Sequence, residues 1–301
     1  MFIKNDLWRC FKLLHKIFLF IISNCCCFLV KIQMSTISDG TSPFTVNPTD
    51  ALVLPTVFYP IFEQLNQSGY ETILTDIRTT LFKLEEIYPG FSRDFLQILL
   101  AKHLPNSSST VNLNQLILQL EKSCDKSSYY LSPTLTRQEK DFHELNVRSK
   151  TLKHILSRIP DDINEKREFL ETIKEIASAI KKTLDCLPNL YQYLKTLEAR
   201  QTLENEKKEF IKSSKHFSNT LKAYFRDNKR DDVYLAANSL LLQTDYLLRA
   251  IKLHCEPTTI DPCAYPLLNQ HQNQIKLSLF SRHSALSQRQ SSTNRTSYEN
   301  N

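Results

Sequence analysis

The sequence predicts an all-α protein in two parts, short helices over residues 51–122 and four long helices over residues 137–253. Three observations carry this expectation. Glycine is nearly absent, with only Gly40, Gly69 and Gly90 in 301 residues. Sheet-rich and nucleotide-binding folds need glycine for tight turns and close backbone approach, so helices joined by short polar loops are favoured. Apolar residues recur at helical spacing through most of the chain, and breaker residues fall between the periodic runs. The hydrophobic share of 41% is enough for a core.

In chain order, Val57, Phe58, Ile61, Phe62 and Leu65 define a first helical face, and Pro60 within it predicts a kink or break. A second helix over 70–87 aligns Ile73, Leu74, Ile77, Leu81 and Leu84 and stops at Pro89-Gly90. A third, over 92–103, groups Phe95, Leu96, Leu99 and Leu100, with Ser92 as the expected N-cap. A fourth, over 112–122, carries Leu113, Leu116, Ile117 and Leu120. A unit of about 70 residues is marginal as a solitary core, so dimerisation is a physical expectation for 51–122.

After a linker at 123–136, the helix at 137–158 presents Phe142, Leu145, Leu152, Ile155, Leu156 and Ile159. Pro160-Asp161-Asp162 breaks the chain, with acids suited to a helix start. A stripe from Ile163 through Phe169, Ile173, Ile176 and Ile180 to Leu184 predicts the next helix, with Pro188 marking its end. Two more follow at 190–226 and 232–253, separated by the polar turn at Arg226–Lys229. Four antiparallel helices on short turns make a bundle. Residues 254–301, rich in Gln, Ser and Asn, are expected to be disordered.

Residues 1–50 form an apolar extension and a leader. Lys4, Arg9, Lys12 and Lys16 precede an uncharged run at 17–30, which looks like a signal peptide or short anchor. The run is shorter than the roughly 20 residues of a membrane span. The only methionines are Met1 and Met34, and the chain turns polar after Met34. A start at Met34 is the favoured expectation; an anchor palmitoylated at Cys25–Cys27 is the other.

The chemistry of an enzyme is missing. There is no glycine-rich phosphate loop, H-E-x-x-H, G-x-S-x-G or kinase signature, and the eight cysteines form no C-x-x-C pair. No cofactor or metal is expected, and the cysteine pattern suggests a reducing, cytosolic setting. His143, His154 and His216 are expected at the surface. The net charge of +6 is spread among interspersed acids and bases, so nucleic acid is not an expected partner.

One pattern repeats. Lys174, Ala177 and Lys181 on one helix match Lys215, Ser218 and Lys222 on the next, and a 0, 3, 7 spacing puts each set on one face. On neighbouring helices the two sets would make one small-floored groove rimmed by four lysines. Such a groove suits an amphipathic helix with leucines on one face and acids at its edges. The plainer alternative is that the lysines only solvate two helices.

The run LKHILSRIPDDINEKREFLETIKEIASAIKKTLD (152–185) resembles the programmed cell death 10, or cerebral cavernous malformation 3, family; so do KKEFIKSSKHFSNTLKAYFRD (207–227) and VFYPIFEQL (57–65). The resemblance implies an N-terminal helical dimerisation domain followed by a focal-adhesion-targeting-homology four-helix bundle. It implies a non-enzymatic adaptor pairing with Ste20-type germinal-centre class III kinases, or with itself as a homodimer. It further implies striatin-type scaffolds, the cavernous-malformation adaptor and paxillin-like leucine/aspartate motifs as partners of the bundle. The family's pairing surface falls on Ile77, Thr80, Leu99 and Leu100, with Thr80 in place of an expected alanine. Its basic groove falls on Lys174, Ala177, Ile180, Lys181, Lys215, Ser218 and Lys222. A phosphoinositide-binding membrane-surface protein is the competing expectation from the same lysines.

Overall fold

The computed structural model describes residues 47–66, 71–103, 112–123 and 134–256. The expectations for residues 1–46, including the Met34 start and the anchor, lie outside these, as do those for most of the linker and for 257–301. Every regular element of the described residues is a helix. None is long and apolar enough to cross a membrane.

The described residues open with α1 (Pro48–Val53), a π-helical turn (Leu54–Phe58) and α2 (Tyr59–Asn66). The leader expected to reach residue 50 gives way earlier, because the Asn47 side chain accepts the Thr49 N–H and starts a helix at Pro48. The interruption expected at Pro60 takes the form of the π turn. Tyr59 N–H reaches back to Leu54 O, and the widened turn passes through Pro55 and Pro60 without ending the helical path.

Two helices follow, α3 (Glu71–Ile87) and α4 (Phe91–His103). Ser92, expected to cap α4, lies inside its first turn and is buried. The cap comes instead from Glu85 of α3, whose fully buried carboxyl oxygens accept the Gly90 and Ser92 N–H groups, each at 2.7 Å. Gly90 adopts φ +93°, the left-handed region that favours glycine. Next to it Arg93 holds Asp50 of α1 at 2.9 Å. Burial pushes the Asp50 carboxyl up from 3.8 to about 6; Glu85 and Asp94 add to the rise and Arg93 opposes it.

Helix α5 (Leu113–Ser123) is capped by Asn112, which accepts the Gln115 N–H at 3.1 Å. The bundle then comprises α6 (Lys140–Ser157), the single turn α7 (Ile159–Asp162), α8 (Lys166–Leu190), α9 (Leu197–Asp227) and α10 (Arg230–Cys255). Pro188 does not end α8; it sits within the last turn, which runs to Leu190 and a 3₁₀ turn at Tyr191–Tyr193. Asn228 in the left-handed conformation closes α9, as a polar turn requires.

α6 packs along α8 and α9 along α10, and α6 also meets α10. The largest fully buried side chains, Phe142, Phe169, Phe210 and Phe217, come from α6, α8 and α9. α10 is covered on several sides, because α1 and α5 also lie against it. Ala236, Ala237, Leu240, Leu241, Leu247, Leu248 and Ile251 are buried along it. Asn238 reaches across to Asn114 O at 3.0 Å. A buried charge cluster ties α5, α6 and α10: Lys153 of α6 forms an ion pair with Asp245 of α10 and lies 3.9 Å from Glu121 of α5. Burial acts to lower the Lys153 ammonium, but the two acids outweigh it, so its pKa is raised. The short helices and the bundle therefore share one core through α10.

The segment entering the bundle is also pinned. Leu135 is buried, and its N–H and C=O both pair with the Asn146 side chain, at 3.0 and 2.8 Å. The Arg137 guanidinium lies over the rings of Phe142 (4.7 Å) and Tyr193 (5.0 Å) and donates to Cys255 O. Residues 254–256, expected to open a disordered tail, are ordered instead: α10 runs to Cys255, and Glu256 is buried and accepts the Arg137 N–H at 3.2 Å.

Candidate helix-binding groove

α8 and α9 run antiparallel and touch at both ends. Phe169 meets Tyr224 edge-on, with ring centroids 5.5 Å apart and planes at 86°, and Phe225 lies 6.1 Å from Phe169. At the other end the Tyr191 hydroxyl donates to Glu204 at 2.6 Å. Burial, then the Glu204 carboxyl, push that phenol up to about 12. Counting inward from these contacts sets Lys174 beside the turn of Lys222, Ala177 beside that of Ser218, and Lys181 beside that of Lys215.

Lys174, Ala177, Lys181, Lys215, Ser218 and Lys222 are all exposed, and Ile180 is half-buried. None is spent on the core, whose α8 and α9 faces are Phe169, Ile176, Leu187, Phe210 and Phe217. Lys174 pairs with Glu171 at 3.1 Å within its own helix; Lys181, Lys215 and Lys222 have no ion pair among the described residues. Ser218 turns its hydroxyl onto Ser214 O at 3.1 Å, leaving a low, smooth spot between the lysines.

The structure adds residues that the lysine pattern did not single out. Ile173 and Leu184 of α8 and Ile211 and Ser214 of α9 are half-buried on the facing flanks, at helical spacing with Ala177 and Ser218. Leu170 and Phe225, 40% and 49% exposed, extend the apolar strip at the Phe169 end. Their signal was in the sequence as apolar residues one turn before Lys174 and one turn after Lys222.

The residues expected to form a pairing surface do not share one exposure. Ile77 and Leu99 are buried within the single chain at 7% and 9%, Leu100 is half-buried, and Thr80 is exposed with its hydroxyl on Asp76 O. Large apolar side chains elsewhere on α3 and α4 are open to solvent: Ile87, its neighbour Tyr88, and Ile98. The three expected surface histidines, His143, His154 and His216, are all exposed. Among the described residues no group of three His, Cys, Asp or Glu is placed to share a metal ion.

Fold and site together define an all-helical protein in which two bundle helices carry exposed lysines on one side and a short-helix unit packs against another. Comparison with known proteins sharpens this. Residues 47–106 match the family described as "Programmed cell death protein 10, dimerisation domain", and residues 111–204 match "Programmed cell death protein 10, C-terminal". A curated relative, the programmed cell death protein 10 homolog of Caenorhabditis elegans, is 34% identical over 206 residues, covering 67% of this chain and 93% of that protein. The chain belongs to the programmed cell death protein 10 family.

Proposed function

We propose that the protein is a non-enzymatic adaptor with two gripping surfaces. The α8–α9 groove receives an amphipathic helix whose leucines lie on Ala177, Ile180 and Ser218 and whose carboxylates meet Lys174, Lys181, Lys215 and Lys222. The observation that carries this reading is the exposure of all four lysines around a small, partly apolar floor on two helices whose closest packing partners lie elsewhere. Leucine burial supplies affinity, at roughly 25 cal/mol per Å² of apolar surface, while the lysines set orientation and on-rate. Leucine/aspartate helices of striatin-type scaffolds, the cavernous-malformation adaptor and paxillin-like proteins fit that chemistry.

The second surface is the short-helix unit over residues 47–106, which pairs with a Ste20-type germinal-centre class III kinase or with a second copy. The match to a dimerisation domain and the exposure of Thr80, Ile87, Tyr88 and Ile98 support this. Pairing would cover that apolar surface and extend the core around Ile77, Leu99 and Leu100.

The groove is tested by fluorescence titration of a leucine/aspartate peptide into the full chain and into Lys181→Glu/Lys215→Glu/Lys222→Glu. At least a tenfold loss of affinity with an unchanged circular dichroism spectrum is expected; unchanged affinity overturns the reading. Pairing is tested by co-purification with the kinase after Thr80→Asp/Leu100→Asp, which should fail.

A further inference from the structure

We infer that α8 carries a second docking cleft on its opposite flank, against α6, for a leucine side chain flanked by carboxylates on another acidic amphipathic helix. It rests on the reading of α8 as a receptor for acidic helices, and extends it to a site that the lysine pattern does not mark. A cleft of about 340 Å³ lies between the two helices. Ile155 of α6 and Ala179 of α8, both buried, form its floor, and the exposed Thr151 and Ser178 form its shoulders. Arg148, Lys174 and Lys182 stand around it with one acid, Glu175, which is held by Arg158 at 2.8 Å. The space admits side chains rather than a whole helix, so the occupant lies across the opening and inserts an apolar residue.

Charge selects that occupant. Three cations around an apolar floor match carboxylates flanking a leucine, and Lys182 has no ion pair among the described residues. The pairs already present, Arg148–Glu144 at 3.2 Å and Lys174–Glu171 at 3.1 Å, are exposed or half-exposed contacts within single helices. Such pairs hold little energy and exchange readily for a partner's acids. Ala177 and Ala179 are two residues apart and so point about 200° apart on the helix, which makes the two floors opposite flanks of α8. Lys174 stands between them, lining this cleft and rimming the first groove. The protein would then hold two acidic segments at once, from one partner or two.

The test is isothermal titration of the full chain with a synthetic peptide carrying leucines at helical spacing and flanking aspartates. Two peptides per chain are expected. Ser178→Glu/Lys182→Glu, both exposed positions, should leave one site of unchanged affinity. Lys215→Glu/Lys222→Glu should leave the other, and Lys174→Ala should weaken both. Methyl resonances of Ile155 and Ala179 should shift on peptide addition in the Lys215→Glu/Lys222→Glu variant. One peptide per chain, unaffected by Ser178→Glu/Lys182→Glu, overturns the cleft and leaves the groove standing. One peptide per chain lost on Ser178→Glu/Lys182→Glu but kept in Lys215→Glu/Lys222→Glu sustains the cleft and removes the groove.

Discussion

Phe169 of α8 stands edge-on to Tyr224 of α9, 5.5 Å between centroids, and this contact ties the two lysine-bearing helices together at one end. The Tyr224 hydroxyl also reaches Ile163 O at 3.4 Å, a long bond that adds little. Tyr224→Ala is therefore expected to cost about 1–3 kcal/mol in urea denaturation and to weaken peptide binding as the groove end loosens. Tyr224→Phe keeps the ring and should stay within about 1 kcal/mol of the parent, with binding intact.

Lys153 is the buried cation at which α5, α6 and α10 meet. Removing it leaves Asp245 buried without its counter-charge. Lys153→Ala should cost about 3–5 kcal/mol by chemical denaturation, whereas Lys153→Met/Asp245→Leu should recover much of that loss. A double variant no more stable than the single one would show that the cluster is held by something other than charge pairing.

Asp50 makes stability depend on pH. Its folded pKa is raised to about 6 from 3.8, so the favourable contribution is complete below about pH 4 and is lost as pH rises towards 6. The effect opposes folding at neutral pH by on the order of 3 kcal/mol at most. Asp50→Asn removes the titration, so the gap between the variant and the parent should change between pH 4 and 6 and level off above. Parallel stability curves across that window would refute the assignment.

At the start of α4, Glu85→Ala strips the acceptor from two buried N–H groups and is expected to cost about 1–3 kcal/mol for each. Gly90→Ala places a Cβ 3.3 Å from Asp50 Oδ2 on a backbone at φ +93°, with an expected loss of about 1–3 kcal/mol. Thermal melting of both variants measures these, and a melting point within a degree of the parent would contradict the cap.

The helical class was legible because glycine scarcity and a 3.6-residue period are local properties. So were the exposed lysine faces of α8 and α9, since Lys174/Lys181 and Lys215/Lys222 each mark one face by spacing alone. Two features were not legible, for non-local reasons, and a third was legible only in the residue pattern of α10. The cap of α4 comes from Glu85, seven residues before Ser92, which reads as the better cap in sequence. Pro188 fits in the final turn of α8, where proline costs one hydrogen bond in a helix already held by packing. The enclosure of α10 follows from α1 and α5 covering a face that a four-helix bundle would leave wet. The run Leu240-Leu241-Leu242 with Leu247-Leu248 carried that signal, because a helix that is apolar on most sides is buried.

The most direct measurement is a charge swap at the groove. Lys181→Glu/Lys215→Glu/Lys222→Glu should bind a leucine/aspartate peptide at least tenfold more weakly, and should bind the same peptide with its aspartates replaced by lysines more tightly than the parent does. Rescue by the lysine peptide would establish that acids of a partner helix meet these lysines. Loss of both peptides in a folded variant, or equal binding of both by parent and variant, would contradict it.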